Sequence, residues 1–526
     1  MNFNKKLAVA VSGAVLLMAG QVAMADSTSD IVDALVGKGV LTEEEGKLIT
    51  KGHESKTKVT PVIKEKDGSF TIEDAKGHNS IGLTGRMHLD YRASSLDSQD
   101  LGPSARGDDR DTASMADQFE LRRARIGIKG KIAKDFKYEV VGNLPGTATV
   151  DVAYLDFAKF DAFQIRAGKF KQPFGLEELI SSNNMTMMER SYLDQTVPGK
   201  KIGVQVMGAP SKGLTYALST FQNNDVERNL HGDGYASGAG RFTLNFAELM
   251  DDKTSVMHLG LAGLSSTYTV QPTTTSQTSG SADGSSSAGR ASINAFRSAG
   301  RGLANIFRGQ IGGGACTTAV YSCPLEFGAK VVQEAAGLEG IFARGPFKVM
   351  GEYSRGQYKA EHNSGTNVSY DTDTFYAEAG YFITGEKYAD SYKNGVFGGF
   401  KPMNNFDLDK GQLGAIELAF RFEGFRVEDT NLGASGLGSR LQGTLDGSGT
   451  ANGTKSKADT YTAGIRWILN PNVVFKANYA YTNLGRDYAP LDVSHMTSAG
   501  AIASSSATPA NVSSEQLFMT RFQYMF

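Results

Sequence analysis

The sequence predicts an all-β protein, a transmembrane antiparallel β-barrel of about 16 strands with one loop folded inward. Three observations carry that prediction. Segments of alternating apolar and polar residues recur down most of the chain. Tight turns and long connectors mostly alternate between those segments. The chain also closes on an alternating strand, Phe518, Thr520, Phe522 and Tyr524 against Met519, Arg521 and Gln523, with an aromatic Phe526 at its end. An edge strand that apolar would be a hazard in a soluble protein.

The elements follow in order. Lys5 and Lys6, the apolar run Leu7–Gly20 and the small-x-small site Ala23-Met24-Ala25 read as a signal peptide over residues 1–25. The run is too short to cross a bilayer as a helix. Residues 26–79 read as an N-terminal periplasmic extension and linker. Thr42 followed by Glu45 matches a capping box for a short helix through Ile49. The polarity after Gly52 leaves a disordered leader as the alternative.

From Ser80 the period becomes two, and residues 80–526 read as the barrel. Ile81, Leu83, Met87, Leu89 and Tyr91 share one face; Thr84, Arg86, His88, Asp90 and Arg92 share the other. Ala124, Ile126 and Ile128 oppose Arg123 and Arg125. Val150, Val152 and Tyr154 oppose Asp151, and Phe163, Ile165 and Ala167 oppose Arg166. Later strands repeat the pattern, as in Ile416, Leu418 and Phe420 against Glu417 and Arg421. Turns fall near Ala133–Asp135, Lys159–Asp161, Pro210–Gly213, Leu249–Lys253, Arg344–Pro346 and Asn470–Pro471. Between Lys171 and Pro198 lies a long loop rich in Met and Ser, stopped from continuing its strand by Pro173 and Gly175. This loop is expected to fold into the lumen and set what passes. Thr384–Gln412 is long where a turn is due and is expected to fold on the periplasmic side.

Composition narrows the classes. The formal charge is −2, and loss of residues 1–25 removes Lys5 and Lys6 and no acid, so it becomes −4. That balance excludes a globally basic nucleic-acid binder. Cys316 and Cys323 share one loop-like segment of an exported chain, so a disulfide is expected rather than a metal site. The seven His are scattered, no metal or triad spacing appears, and no phosphate-binding loop motif is present. No cofactor and no catalytic residue are expected.

The segments FELRRARIGIKG, RAGKFKQPFGLEELISS, MMERS, YFITGE, GAIELAFRFEGF and IRWILNPNVVFKANYAYT occur in that order. Together they resemble the phosphate-selective porin O/P family. The resemblance implies a bacterial outer-membrane porin, seated in outer-membrane lipid, that forms a homotrimer and passes small anions such as phosphate by diffusion. It places Arg86, Arg122 and Arg123 on an arginine column, Arg190, Ser181 and Ser182 on a constriction-loop anion site, Asp151 on a wall carboxylate beside it and Lys137 on a basic position lower in the pore. One departure stands out: phosphate-selective members carry Lys after Gly-Leu-Glu, and this chain has Glu178. The dense Arg run of the family's fifth outer loop is also replaced by a looser set, Arg290, Arg297, Arg301 and Arg308.

Arginine suits an anion path because it stays charged and offers a planar fork to oxyanions. Alternation predicts Arg86, Arg123, Arg125 and Arg166 in the lumen. The competing reading is that they pair with Asp90, Asp151 and Glu139 and brace the wall. Glu177, Glu178 and Glu189 weigh against a strongly anionic preference. The alternative function is a general or non-anion-selective barrel with a structural or adhesive role.

Overall fold

The computed structural model describes residues 27–57, 60–66, 69–96, 117–146, 148–223, 235–270, 291–302, 306–311, 329–361, 367–431, 456–488 and 512–526. The signal segment, Cys316, Cys323 and Arg290 lie outside the described residues. Two compact units are present.

The first unit comprises the described residues up to Leu83 together with Ile128–Lys137. Helices Ser27–Gly37 and Glu43–Thr57 form a hairpin. Thr42 and Glu45 make the capping box: Glu45 N donates to Thr42 Oγ1 at 3.2 Å, and Thr42 N donates to Glu45 Oε2 at 2.9 Å. The second helix runs past Ile49 to Thr57, and an antiparallel hairpin of Val62–Lys66 and Ser69–Glu73 follows it where a polar linker was expected.

The second unit comprises Thr84–Gly127 and Tyr138–Phe526. The barrel strands along the chain are β1 Ser80–Ser94, β2 Gln118–Ile132, β3 Phe136–Asn143, β4 Thr149–Phe160, β5 Phe163–Lys171, β6 Lys200–Ser211, β7 Leu214–Gln222 and β8 Ser237–Asn245. They continue as β9 Ser255–Val270, β10 Ala329–Arg344, β11 Phe347–Glu361, β12 Asn367–Phe382, β13 Ala415–Asn431, β14 Ser456–Asn470, β15 Val473–Tyr488 and β16 Val512–Met525. The result is a closed antiparallel barrel of 16 strands. β9 pairs with β10 across the long connector, from Ser255–Arg344 to Val270–Ala329. β16 pairs back onto β1, from Leu517–Ser94 to Met525–Arg86. Closure leaves no free sheet edge.

The burial pattern is inverted relative to a water-soluble fold. Leu83, Leu89, Leu261, Phe342, Phe420, Tyr461, Phe518 and Phe522 are exposed on the outer face. Arg421, Arg466, Arg521, Lys476, Glu417 and Glu423 are fully buried inside. A bilayer around the barrel accounts for both.

Alternation fails at two places, each informative. Arg122 and Arg123 are consecutive, yet Arg122 binds Glu189 in the lumen and Arg123 is buried among Arg122, Arg521 and Glu189. A change of phase inside β2 puts both on one face, as a bulge does. Tyr154 was expected to face outward with Val150. It faces inward instead, its hydroxyl donating to Glu139 at 2.6 Å, while Leu155 is exposed.

Three segments fill one side of the lumen. The first is the loop between β5 and β6. The second is an antiparallel hairpin of the long connector, Ala291–Phe296 with Phe307–Ile311. Its Phe296 stacks on Phe425 at 4.2 Å and packs with Tyr192, Tyr358 and Tyr370. The third is the segment between β12 and β13. It turns inward and buries Tyr388 and Phe397 against Leu176, Ile180, Met185 and the inner wall. These insertions explain why inward positions such as Tyr358, Tyr370 and Phe425 are aromatic.

Candidate functional site

The constriction loop enters at Gly175, whose φ of 84° lies in the left-handed region. A Cβ there would sit 3.0 Å from Val197 Cγ1, so the reversal favours glycine. A four-residue helix, Leu176–Leu179, follows, and a 3-10 helix, Tyr192–Thr196, leads out.

Wall residues hold the loop by its backbone. Glu352 accepts from Leu176 N at 2.6 Å and Glu177 N at 2.7 Å. Asn478 accepts from Met188 N at 2.7 Å, and Glu423 from Tyr192 N at 2.9 Å. Lys476 and Arg521 donate to the carbonyls of Met185 and Met188, each at 2.6 Å. Each contact satisfies a buried backbone group that would otherwise be unpaired.

The loop's acids are tied down as well. Glu177 binds Arg421 at 2.9 Å. Glu189 is gripped by Arg92 at 2.9 Å, Arg122 at 3.0 Å and Arg521 at 3.0 Å. Burial raises the Glu189 carboxyl, but Arg122, Arg521 and Arg123 overcome that and hold it well below the usual carboxylate range.

Arg190 serves the loop. Nε donates to Glu177 O at 3.0 Å, and Nη2 to Glu178 O at 3.2 Å and Ile180 O at 3.0 Å, while Nη1 lies 2.9 Å from Glu178 Oε2. The side chain expected to hold an anion with Ser181 and Ser182 therefore spends its donors on carbonyls and a carboxylate. Arg86 stands with the two serines: its Nη1 is 3.1 Å from Ser182 Oγ and 3.4 Å from Ser181 Oγ. Among the described residues, no carboxylate forms an ion pair with Arg86.

The other expected residues divide between bracing and exposure. Arg125 pairs with Asp151 at 2.9 Å, and Lys200 reaches the same carboxylate at 2.5 Å. Arg166 grips Asp156 through two bonds at 2.7 and 2.8 Å and stacks on Tyr154 at 3.9 Å. Arg123 buries Nε and Nη1 without a hydrogen-bond partner. Arg301 bonds Glu120 at 3.2 Å. Lys137 belongs to the first unit and is exposed. Lys171 and Lys200, absent from the expected set, flank the loop at its two strand ends. Their signal in the sequence was position: KFKQPFG and PGKK bracket the loop.

Accessible charge is concentrated on one side. Arg122, Arg125, Arg166, Lys171 and Lys200 on β2 to β6 keep 16–23% of their side chains exposed. Arg421, Arg466 and Arg521 on β13, β14 and β16 keep 0–2%. Of these lumen cations, the ones that reach water lie on β2, β5 and β6, beside the loop.

A closed barrel with an apolar belt, a charged lumen and a loop-built neck is a membrane channel of the porin class. The chain belongs to the phosphate-selective porin O and P family, whose profile matches residues 81–286 and 324–526. It is 26% identical over 428 residues to porin O of Pseudomonas aeruginosa, covering 80% of this chain and 86% of that protein. It is accordingly an outer-membrane porin. Solved structures similar to it include the outer-membrane protein OmpT of Vibrio cholerae, at TM-score 0.47 and 10% identity, covering 88% of this chain and all of that one. An anion-selective porin from Comamonas acidovorans aligns at TM-score 0.42 and 10% identity, covering 85% and 100%.

Proposed function

We propose that this porin passes small anions by diffusion, with inorganic phosphate among them, and that Arg86 with Ser181 and Ser182 is the point of closest contact. The observation that carries this reading is the Arg86 guanidinium, which stands beside two hydroxyls with no carboxylate paired to it. A guanidinium plus hydroxyls offers an oxyanion a charge-assisted fork and two further donors. Lys171, Lys200, Arg125 and Arg122 make the approach positive, and a narrow low-dielectric neck amplifies the sign that lines it. Asp151 and Glu178 temper that field. A divalent phosphate therefore gains less here than at a neck with lysine at position 178. Arg190 supports the site by fixing the loop that carries the serines.

Planar-bilayer recording tests this. Wild-type channels are expected to prefer chloride over potassium, with phosphate blocking chloride current weakly. Glu178→Lys should strengthen that block and Arg86→Gln should weaken it. A cation-selective wild type, or a block indifferent to both changes, overturns the reading. The assembly proposed is a homotrimer in outer-membrane lipid, with the signal peptide removed at Ala25–Asp26 and Cys316 bridged to Cys323. Cross-linking, N-terminal sequencing and thiol alkylation check these in turn.

A further inference from the structure

Two carboxyl groups meet at the neck from different elements. Glu178 stands in the short helix Leu176–Leu179 and Asp194 in the 3-10 helix Tyr192–Thr196. Both carboxyls stand against the one Arg190 guanidinium, Glu178 Oε2 at 2.9 Å from Nη1 and Asp194 Oδ1 at 3.5 Å from Nε, and each bears on the other's protonation. Two buried carboxyls crowded on one guanidinium repel each other when both are ionised, and a single proton between them relieves that.

The surrounding cations decide which group keeps the proton. Glu178 has Arg190 Nη1 at 2.9 Å and Lys171 Nζ at 3.9 Å. Among the described residues, the cation paired with Asp194 is Arg190, whose Nε lies at 3.5 Å, and Asp194 Oδ1 is buried without a hydrogen-bond partner. Burial, with Glu178 alongside, pushes the Asp194 carboxyl well above the usual carboxylate range although Arg190 opposes it. Burial also raises Glu178, but Lys171 and Arg190 outweigh that and hold it below its ordinary value. The remaining charges facing the pair are Glu177 on the loop and Lys200 at the start of β6. About a quarter of the Asp194 side chain, 26%, remains accessible, so the pair is in contact with the lumen.

We propose that Glu178 and Asp194 share a single proton and together set the charge of the neck, which makes Asp194 a specificity-determining residue of this channel. The inference deepens the anion-preferring reading and rests on it. Its sign is fixed by the geometry. Raising the pH removes the shared proton and adds one negative charge beside Arg190 and Lys171, so anion preference falls. Acidification restores the shared proton, leaves the pair with one negative charge instead of two, and anion preference rises. A lysine at position 178 could not share a proton in this way, so the behaviour belongs to this chain's own substitution.

Reversal potentials of the full-length channel in a potassium chloride gradient, read from about pH 5 to about pH 9, test the proposal. The wild-type chloride-to-potassium permeability ratio should fall with rising pH by roughly threefold, the effect of one unit charge a few ångströms from the path at high dielectric. Asp194→Asn should remove the pair's share of the step, leaving only the smaller fall that Lys171 and Lys200, the titratable cations facing the pair, contribute at the alkaline end. Glu178→Gln should move the step to lower pH, because Asp194 then loses its like-charged neighbour. A step that persists unchanged in Asp194→Asn, or a flat wild-type profile, overturns the proposal. A cation-selective channel that keeps an Asp194-dependent step overturns the anion-preferring reading and retains the pair. An anion-selective channel without a step rejects the pair alone.

Discussion

Two arginines that the family resemblance placed on the anion path, Arg86 in the arginine column and Arg190 at the constriction-loop site, have opposite fates. Arg86 donates to the hydroxyls of Ser181 and Ser182, while Arg190 spends its donors on the carbonyls of Glu177, Glu178 and Ile180. Arg190→Ala should therefore act on loop order before it acts on selectivity. Removing one partner from a buried, hydrogen-bonded pair costs on the order of 3–5 kcal/mol. The expected result is a larger, noisier single-channel conductance, whereas Arg86→Gln should change anion preference at unchanged open-channel noise. Arg92 would be a poor neutral control, because it binds Glu189 and Asp90 and is buried. Alternation put Arg86 on the inward face, and the resemblance put Arg190 at the constriction. Neither could show what each would meet there, since the partners lie far along the chain.

At the scale of elements, the constriction loop keeps its shape because wall side chains capture its backbone. Glu352 is the clearest case, accepting from two successive amides at the start of the short helix. Glu352→Ala should leave both amides unpaired, at roughly 1–3 kcal/mol each. Hydrogen exchange at Leu176 and Glu177 should then accelerate while the β11 amides stay protected. Asn478→Ala should do the same at Met188 alone. The inward loop was legible from its length, its mixed polarity and the Pro173–Gly175 stop. Its staples were not, because Glu352 and Asn478 read only as polar positions on lumen-facing strands. The phase change at Arg122–Arg123 and the inward turn of Tyr154 escaped for a related reason. A strict period of two has no means of registering an inserted residue.

Across the whole molecule, the lumen is lopsided. Three insertions cover the inner wall of β10 to β15, and the lumen cations that reach water keep to β2, β5 and β6. The segment between β12 and β13 is part of that filling, so replacing Tyr388–Phe400 with a short turn should raise single-channel conductance about twofold or more, as a widened constriction does. Liposome swelling with neutral sugars of increasing size would show the same widening. The barrel itself was legible in alternation and turn spacing; the inward course of this segment was not, since its place among the turns gave only the periplasmic side. The seam between β16 and β1 has its own consequence. The Arg521–Asp90 pair that spans it joins positions 431 residues apart. Bringing such distant points together costs about 5 kcal/mol of chain entropy before any bond forms. Until that happens, β1 and β16 each present a bare apolar edge, open to pairing with any other chain. Assembly of this protein is thus an all-or-nothing event that waits on its final strand, and the long unfinished interval before it is when a holding chaperone is needed most.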